Sequence, residues 1–502
     1  MIGTYSGKKI QLDTASFRKL LQHSMICLSI YLIPSYVILI PIILFLLLKF
    51  YKSNQHSNLL LLGVYSLCCK SETVFYPFAV TLFFLIIFDQ KSGIQFSFKS
   101  LVETRLYLFI SFLVLTYIVQ LFDDASIFSL PFFILTFGSP LVILFYILRT
   151  PITSKSMRTF FNDLIYLALG QILITLFFQA IPRGVGDILS NPTMGDFLTG
   201  TTNSSNLLGF LLCITILPFI IFAALKSKGQ YDNLVFLISI VMLFLFMVHL
   251  SDAKARFYAF ALSSVVVFVI KRIWRMKKLD IKLLIFATVI FIISIIFEDI
   301  IDYFTMLSFK YVDYISGRSN AKLEYYKRVI SPNTRSFIEY VMGTGPGTNG
   351  SRAANALASD VLFKSEQSSV KLPEFISPKS KEFTKNHLAK LYTADYALAT
   401  HERSAMLGNP FNSICAMFVE FGVIGSILFI RFINPLYTFI IRDNSVLSIC
   451  SCILFFVVII LGIIDQSFET PMIMFFLYLF IGLSITLNQN QRNEKKLIHD
   501  KI

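Results

Sequence analysis

Long apolar runs separated by short polar segments follow one another along most of this chain. Most of the runs have no polar face, and most approach the roughly 20 residues that cross about 30 Å of hydrocarbon. The pattern therefore predicts an all-α, polytopic membrane protein with about 12 transmembrane helices. The predicted spans are 24–48, 73–88, 106–122, 127–148, 164–181, 207–225, 233–250, 257–270, 281–301, 411–430, 446–464 and 472–487.

The second of these spans is the least regular. Leu59–Cys69 is too short to cross a membrane alone, and Lys70 and Glu72 separate it from the apolar run Thr73–Phe88. Residues 59–72 are therefore predicted to form either a broken helix that extends the span or an interfacial turn.

Composition supports the membrane interpretation. Hydrophobic residues make up 55% of the 502 residues and charged residues 15%, with a mean hydropathy of +0.70, whereas a soluble domain carries about 25% charge. The seven cysteines lie in or beside apolar segments without metal-ligand spacing to histidine, so we expect neither disulfides nor zinc. The net charge of +14 does not predict nucleic-acid binding, because the basic residues lie mainly between apolar runs.

The distribution of positive charge predicts the orientation. With the N-terminus inside, the cytoplasmic segments hold 24 Lys and Arg residues, and the short external segments hold 6. Both termini are therefore predicted to be cytoplasmic, with the one long loop outside. We divide the chain into an N-terminal transmembrane bundle of about nine spans (1–301), a large external loop of mostly helical character (302–410), and C-terminal transmembrane helices with a cytoplasmic tail (411–502).

Cationic residues at the external face are candidates for binding a lipid diphosphate. Ser251–Arg256 is a tight external loop whose Lys254 and Arg256 would lie at the membrane surface, where the alternative is a charge pair that caps a hairpin. A guanidinium binds phosphate oxygens bidentately, and an ammonium acts as a point charge. Arg318 precedes a predicted helix at Asn320–Ile330, whose N-terminus favours anions. A solvated loop arginine is the alternative there.

Other polar residues are weaker candidates. The three glycines of Gly343–Gly347 predict a plain turn; the alternative is a phosphate cradle, for which the pattern is not specific. His401 is of a type that accepts a proton from a sugar hydroxyl near neutral pH, although it could be a surface histidine. Asn412 and Glu420 lie eight residues apart on the tenth span, where they indicate either a functional site or a helix-packing contact. The chain has no P-loop, HExxH or G-x-S-x-G motif, which disfavours an ATP-driven pump.

Taken in order, four short motifs resemble the superfamily of bacterial O-antigen polymerases and O-antigen ligases. They are D-F-L-T-G-T-T-N-S-S-N at Asp196–Asn206, the Ser-Arg-type loop Ser251–Arg256, S-G-R at Ser316–Arg318 followed by Gly343–Gly347, and F-N-S continuing to E-F-G at Phe411–Gly422. In the loop, Lys254 is the closest match to the family arginine. Phe411 stands where the family has a histidine and cannot act as a base, which counts against a ligase.

The resemblance, which covers about the second half of the chain, implies a metal-independent, inverting glycosyl transfer without a cofactor, at the periplasmic face of the bacterial inner membrane. The donor would be a glycan on undecaprenyl diphosphate and the acceptor another lipid-linked sugar, so that repeat units are joined into O-antigen, capsule or exopolysaccharide. Membrane lipids, a chain-length regulator and a flippase are the further expected partners.

Several alternatives stay open. A ligase that transfers glycan to lipid A core belongs to the same class. A flippase or transporter for lipid-linked oligosaccharide usually shows two similar halves or interrupted spans. A membrane scaffold or receptor is a third class.

The expected site residues fall into three groups. Fixed cations would stabilise the charge that develops on a diphosphate leaving group, and the diphosphate-binding candidates are Lys254, Arg256, Arg318 and Arg183. The catalytic candidates are Arg318, His401 and Glu402, the last two as substitutes for the missing family histidine. The substrate-binding candidates are Asn412, Glu420 and Arg403.

Overall fold

The computed structural model describes residues 14–32, 56–69, 74–88, 97–122, 126–150, 152–190, 197–202, 204–225, 234–251, 253–274, 336–357 and 412–499. Within these ranges all regular structure is helical, and no strand is present. The α-helices are α1 (Thr14–Leu32), α2 (His56–Leu67), α3 (Phe75–Phe88), α4 (Ser97–Leu121), α5 (Ser129–Phe133), α6 (Leu141–Arg149), α7 (Ser154–Ile174), α8 (Ile181–Arg183), α9 (Val185–Ser190), α10 (Ser205–Leu225), α11 (Leu234–Leu250), α12 (Lys254–Trp274), α13 (Phe337–Met342), α14 (Arg352–Leu357), α15 (Ser413–Arg442), α16 (Val446–Ile464) and α17 (Pro471–His499). π-Helical turns occupy Ile134–Gly138 and Thr175–Ala180, and a 3₁₀ turn occupies Ser467–Glu469.

Five helical stretches of the described residues are long and apolar enough to cross a membrane, or six if one bent pair counts as a single span. They are Val102–Leu121, Ser154–Arg183, Ser413–Arg442, Val446–Ile463 and Pro471–Gln489, with Ser129–Gly138 and Leu141–Arg149 as the bent pair. Each coincides with a predicted span, so the described part of the chain has the character of a helical membrane protein. The predicted ninth span, 281–301, lies outside the described residues.

Residues 59–67, which the sequence predicted either as part of a broken helix or as an interfacial turn, belong to a helix in the core of the bundle. Ten of the twelve residues of α2 are buried. The Nδ1 atom of His56 at its start lies 2.8 Å from the Tyr146 hydroxyl, and the carbonyl of Cys68 beyond its end accepts a hydrogen bond from the Thr201 hydroxyl at 2.6 Å. Residues 59–67 therefore pack inside the bundle rather than forming an interfacial turn.

Hydrogen bonds between helix ends define the two ends of the bundle. At one end, Arg256 in the first turn of α12 pairs with Asp465, and the carbonyl of Asp465 accepts the amide of Ser413 at the start of α15. At the other end, the ammonium of Lys271 donates to the carbonyl of Ile440 near the end of α15, at 3.1 Å. We call the end that contains Arg256 and Asp465 the site end, and the end that contains Lys271 and Ile440 the far end. The helices α12 and α15 therefore both run from the site end to the far end, and α16, which begins beside Asp443 and ends at Asp465, runs back.

Aromatic packing fixes α15 against α4 and α5 near the middle of the bundle. Phe421 of α15 meets Phe109 and Phe133 edge to face, with ring centroids 5.2 and 5.6 Å apart. Phe137 and Phe429 extend this cluster. Such pairs contribute about 0.5–1.5 kcal/mol each beyond the area they bury. The cluster lies directly beside the residue at which α15 is interrupted.

Candidate functional site

α15 is broken at Gly422, where the backbone has φ 61° and ψ −168°. Only glycine adopts this conformation readily. A break in an apolar helix leaves backbone groups that must find other partners inside the protein. The amides of Thr344 and Gly345 donate to the carbonyls of Val419 and Glu420 at 2.9 and 3.1 Å. The loop formed by residues 343–345 thus replaces the missing turn of the helix.

Two glycines allow the loop and the broken helix to touch backbone to backbone. A Cβ atom at Gly343, where φ is +85°, would lie 2.2 Å from the carbonyl oxygen of Glu420. A Cβ atom at Gly422 would lie 2.3 Å from the amide nitrogen of Gly343. Gly343, the first of the three glycines that the sequence indicated as a turn or phosphate cradle, therefore serves a close approach to α15.

The side-chain carboxyl group of Glu420 accepts hydrogen bonds from this loop. Its residue is 1% exposed. Its two oxygens accept the amides of Gly347 and Asn349, each at 2.9 Å, and the Ser351 hydroxyl also donates to it. The loop does bind a carboxyl group through its amides, but that group is a side chain of the protein. The structure thus places Glu420 against the backbone amides of the loop, and its predicted role in binding substrate stays a prediction.

A second carboxylate, Glu469, holds the end of the same loop. Its Oε2 accepts the amide of Arg352 at 2.7 Å, and the Thr136 hydroxyl and the Ala353 amide also donate to it. Burial raises the pKa of Glu469 above the usual carboxyl range, although the Arg352 guanidinium and these donors oppose the rise. Sequence reasoning missed Glu469. The rule that singled out Glu420, an acid among apolar segments, would have found it.

The predicted cation Arg256 lies in this region. The residue is 6% exposed, and its Nη2 lies 2.5 Å from Oδ2 of Asp465. Among the described residues its Nε has no hydrogen-bond partner. The ion pair therefore joins residues 209 positions apart rather than the two sides of one hairpin. Lys254 is the first residue of α12, and its side chain lies outside the described part.

The turn Asp465–Glu469 connects these groups, and with the guanidinium groups of Arg256 and Arg352 we call it the cationic turn. The Nη1 of Arg352 donates to the carbonyl of Glu469 at 3.3 Å. The predicted substrate-binding residue Asn412 lies beside the turn. It is fully buried, and its Oδ1 accepts the amide of Cys415 at 2.8 Å as the N-cap of α15.

Arg183 belongs to a different cluster. Its Nη1 donates to the carbonyl of Gln179 at 3.0 Å, and its guanidinium lies 5.7 Å from the centre of the Phe197 ring. The Gln179 side chain also accepts the amide of Gly200 at 2.9 Å. Phe197 and Gly200, two described residues of the 196–206 motif, thus contact Arg183 and the π-helical turn Thr175–Ala180, respectively.

The other predicted site residues lie outside the described part of the chain. They are Arg318, His401, Glu402 and Arg403, together with the predicted helix Asn320–Ile330. Their roles stay predictions.

All seven cysteines are buried and none forms a disulfide. Within the described ranges, no group of three or more His, Cys, Asp or Glu residues is arranged to hold a metal ion. In comparisons with known proteins, no family, curated protein or solved structure matches this chain.

Proposed function

We propose that this chain polymerises undecaprenyl-diphosphate-linked oligosaccharide repeat units into surface polysaccharide at the periplasmic face of the inner membrane. The observation that carries the proposal is the cationic turn, which holds two guanidinium groups on residues 465–469. A guanidinium has five N–H donors, and the Nε of Arg256 has no hydrogen-bond partner among the described residues. A departing diphosphate would find bidentate donors there, and its developing charge would be stabilised by fixed cations.

The positions of the basic residues support the proposal that the site end of the bundle faces the outside of the cell. Arg149 pairs with Glu103 at the far end, and Lys271 and Arg442 lie there too. An excess of Lys and Arg is typical of cytoplasmic loops. We therefore propose that the far end is cytoplasmic, with both termini inside, about 12 spans in all and the loop 302–410 in the periplasm.

The described part of the long loop also supports the proposal. Residues 336–357 pack on the site end of the bundle, where Gly347 and Asn349 bind the carboxylate of α15. The loop would therefore carry its residues to the membrane surface at which a lipid diphosphate lies.

We expect Arg256→Ala to abolish long chains. In a deletion strain complemented with this variant, the surface polysaccharide should appear on a gel as a single repeat unit on its anchor. The loss of one fixed charge-stabilising group costs on the order of 10²–10³ in rate. Arg256→Lys keeps the charge without the bidentate geometry and should give shortened chains.

Arg105→Ala is the matched control, because that guanidinium donates to a backbone carbonyl, of Arg431, away from the cationic turn. It should leave chain length unchanged. Normal long chains with Arg256→Ala, at a wild-type protein level, would contradict the assignment.

A transporter of lipid-linked oligosaccharide is the second candidate, favoured by interrupted helices. The bent pair turns by 55°, α7 runs into a π-helical turn, and α15 is broken at Gly422. Against it, the break in α15 is filled by loop amides rather than lining a cavity. Loss of a flippase would trap the precursor inside the cell, and loss of a ligase would leave long chains on undecaprenyl lipid. The chain length on the gel and the location of the precursor therefore distinguish a polymerase, a flippase and a ligase.

A further inference from the structure

Several buried polar atoms at the site end lack a hydrogen-bond partner among the described residues. Asn349 is 1% exposed, and neither Oδ1 nor Nδ2 of its side chain is hydrogen-bonded. The Nδ2 of Asn412, the Nε of Arg256 and the Oδ1 of Asn355 are likewise buried and unpaired. These atoms amount to three donors and two acceptors. We call the four residues the amide cluster.

Hydrogen bonds through Asp465 bring two members of the cluster together. Its carboxylate pairs with Arg256 at 2.5 Å, and its carbonyl accepts the amide of Ser413 at 3.1 Å, next to Asn412. Because the Oδ1 of Asn412 accepts the helix-capping amide, its amide orientation is fixed, and Nδ2 is the unpaired atom.

The next residue, Gln466, brings the other two members to the same place. Its Nε2 donates to the carbonyl of Gly350 at 2.7 Å, immediately after Asn349 in the chain. The Nδ2 of Asn355 reaches the same carbonyl at 3.4 Å. Arg256 thus contacts Asp465 directly. Asn412 and Asn349 each precede a residue that is hydrogen-bonded to Asp465 or Gln466, and Asn355 shares the Gly350 carbonyl with Gln466.

The fold gains little from these unpaired atoms. Burying an amide group without a hydrogen bond costs free energy, and folded proteins pair the great majority of such groups. Asn349 holds the carboxylate of Glu420 with its backbone amide, a bond that any residue except proline could make. Its side-chain amide is therefore unpaired within the described part of the chain and remains available to a bound group.

We propose that the amide cluster binds the hydroxyl or acetamido groups of the sugar attached to the lipid diphosphate. Sugar hydroxyls both donate and accept hydrogen bonds, which matches a cluster that offers both donors and acceptors. Arg256 belongs to the cluster and to the cationic turn, so the sugar would lie next to the diphosphate. The inference rests on the proposed function and adds the residues that recognise the sugar.

Asn349→Leu tests the inference, because leucine has a similar size and no polar atoms. The probe is the lipid-linked single repeat unit extracted from the deletion strain, elongated by the purified protein. We expect its KM to rise about tenfold or more, as the loss of one or two hydrogen bonds predicts, with a smaller change in kcat. The melting temperature should stay the same or rise, since a buried unpaired amide is removed.

Asn412→Ser is the second variant, since serine keeps the N-cap and removes the unpaired donor. It should raise KM in the same way. Ser484→Ala is the control, because that hydroxyl is also buried and unpaired in the described structure but lies on α17 outside the cluster. Its KM should equal that of the wild type.

Wild-type KM values in both Asn349→Leu and Asn412→Ser would overturn the inference and leave buried water as the partner of these atoms. A clearly lower melting temperature of Asn349→Leu would also overturn it, because the fold would then depend on the side chain. If the wild-type protein does not elongate the extracted repeat unit, the proposed function is wrong, and the inference that rests on it is wrong too. This result differs from unchanged KM values in the variants, which would overturn only the inference.

Discussion

Replacing Gly422 by alanine is expected to prevent the loop from docking on α15 and to abolish function. The backbone at this residue lies in a region that is essentially restricted to glycine, and the added Cβ would lie 2.3 Å from the amide nitrogen of Gly343. Backbone strain of about 1–3 kcal/mol and overpacking of about 1–3 kcal/mol together cost about 2–6 kcal/mol. Stability of a typical domain is about 5–15 kcal/mol. Thermal unfolding of the detergent-purified protein should show a large decrease in melting temperature.

Gly138→Ala provides the matched control. Gly138 also lies in an apolar helical segment, but the nearest atom to its added Cβ would be 3.5 Å away, in the Ile134 side chain. This variant should unfold at nearly the wild-type temperature. If Gly422→Ala unfolds at the same temperature as Gly138→Ala, the break in α15 is not needed to hold the loop.

Removing the carboxylate of Glu420 should have the next largest effect. Glu420→Ala leaves the amides of Gly347 and Asn349 buried without acceptors, and each unpaired group costs about 1–3 kcal/mol. We expect a lower melting temperature and loss of polymer. Glu420→Gln keeps one acceptor but turns an NH₂ group toward the other amide, so its effect should be intermediate.

Glu339→Ala is the control for this prediction, because Glu339 is a half-buried glutamate of the same loop region. It completes the capping box of α13 with Ser336. Losing that bond costs about 0.5–2 kcal/mol of local helix stability and removes no group from α15. Equal melting temperatures for Glu420→Ala and Glu339→Ala would show that the carboxylate does not hold the loop.

Local patterns in the sequence were enough to predict the five or six described helices that are long and apolar enough to cross a membrane. The apolar runs at 446–464 and 472–487 became α16 and α17 because each run is apolar on all sides, and a helix satisfies its own backbone. The predicted end of the tenth span at 430 was too early, since α15 continues to Arg442. Charge at Arg431 indicated the membrane boundary but not the end of the helix.

Contacts between distant residues could not be predicted in the same way. Nothing in the sequence around Arg256 indicated that it would pair with Asp465, and nothing around Gly343 indicated that it would touch Gly422. These contacts depend on how whole helices are arranged. The glycines and the buried Glu420 were visible as unusual residues, but whether they bind a ligand or each other is decided by tertiary packing.

The proposed function requires that the site end faces the outside of the cell. Ala356→Cys places an exposed thiol on α14 at the site end, and Asn444→Cys places one between α15 and α16 at the far end. All seven native cysteines are buried, so they give little background. A membrane-impermeant maleimide should label Ala356→Cys once the outer envelope is opened, and Asn444→Cys only after the inner membrane is permeabilised. The reverse pattern would place the cationic turn in the cytoplasm and contradict the account.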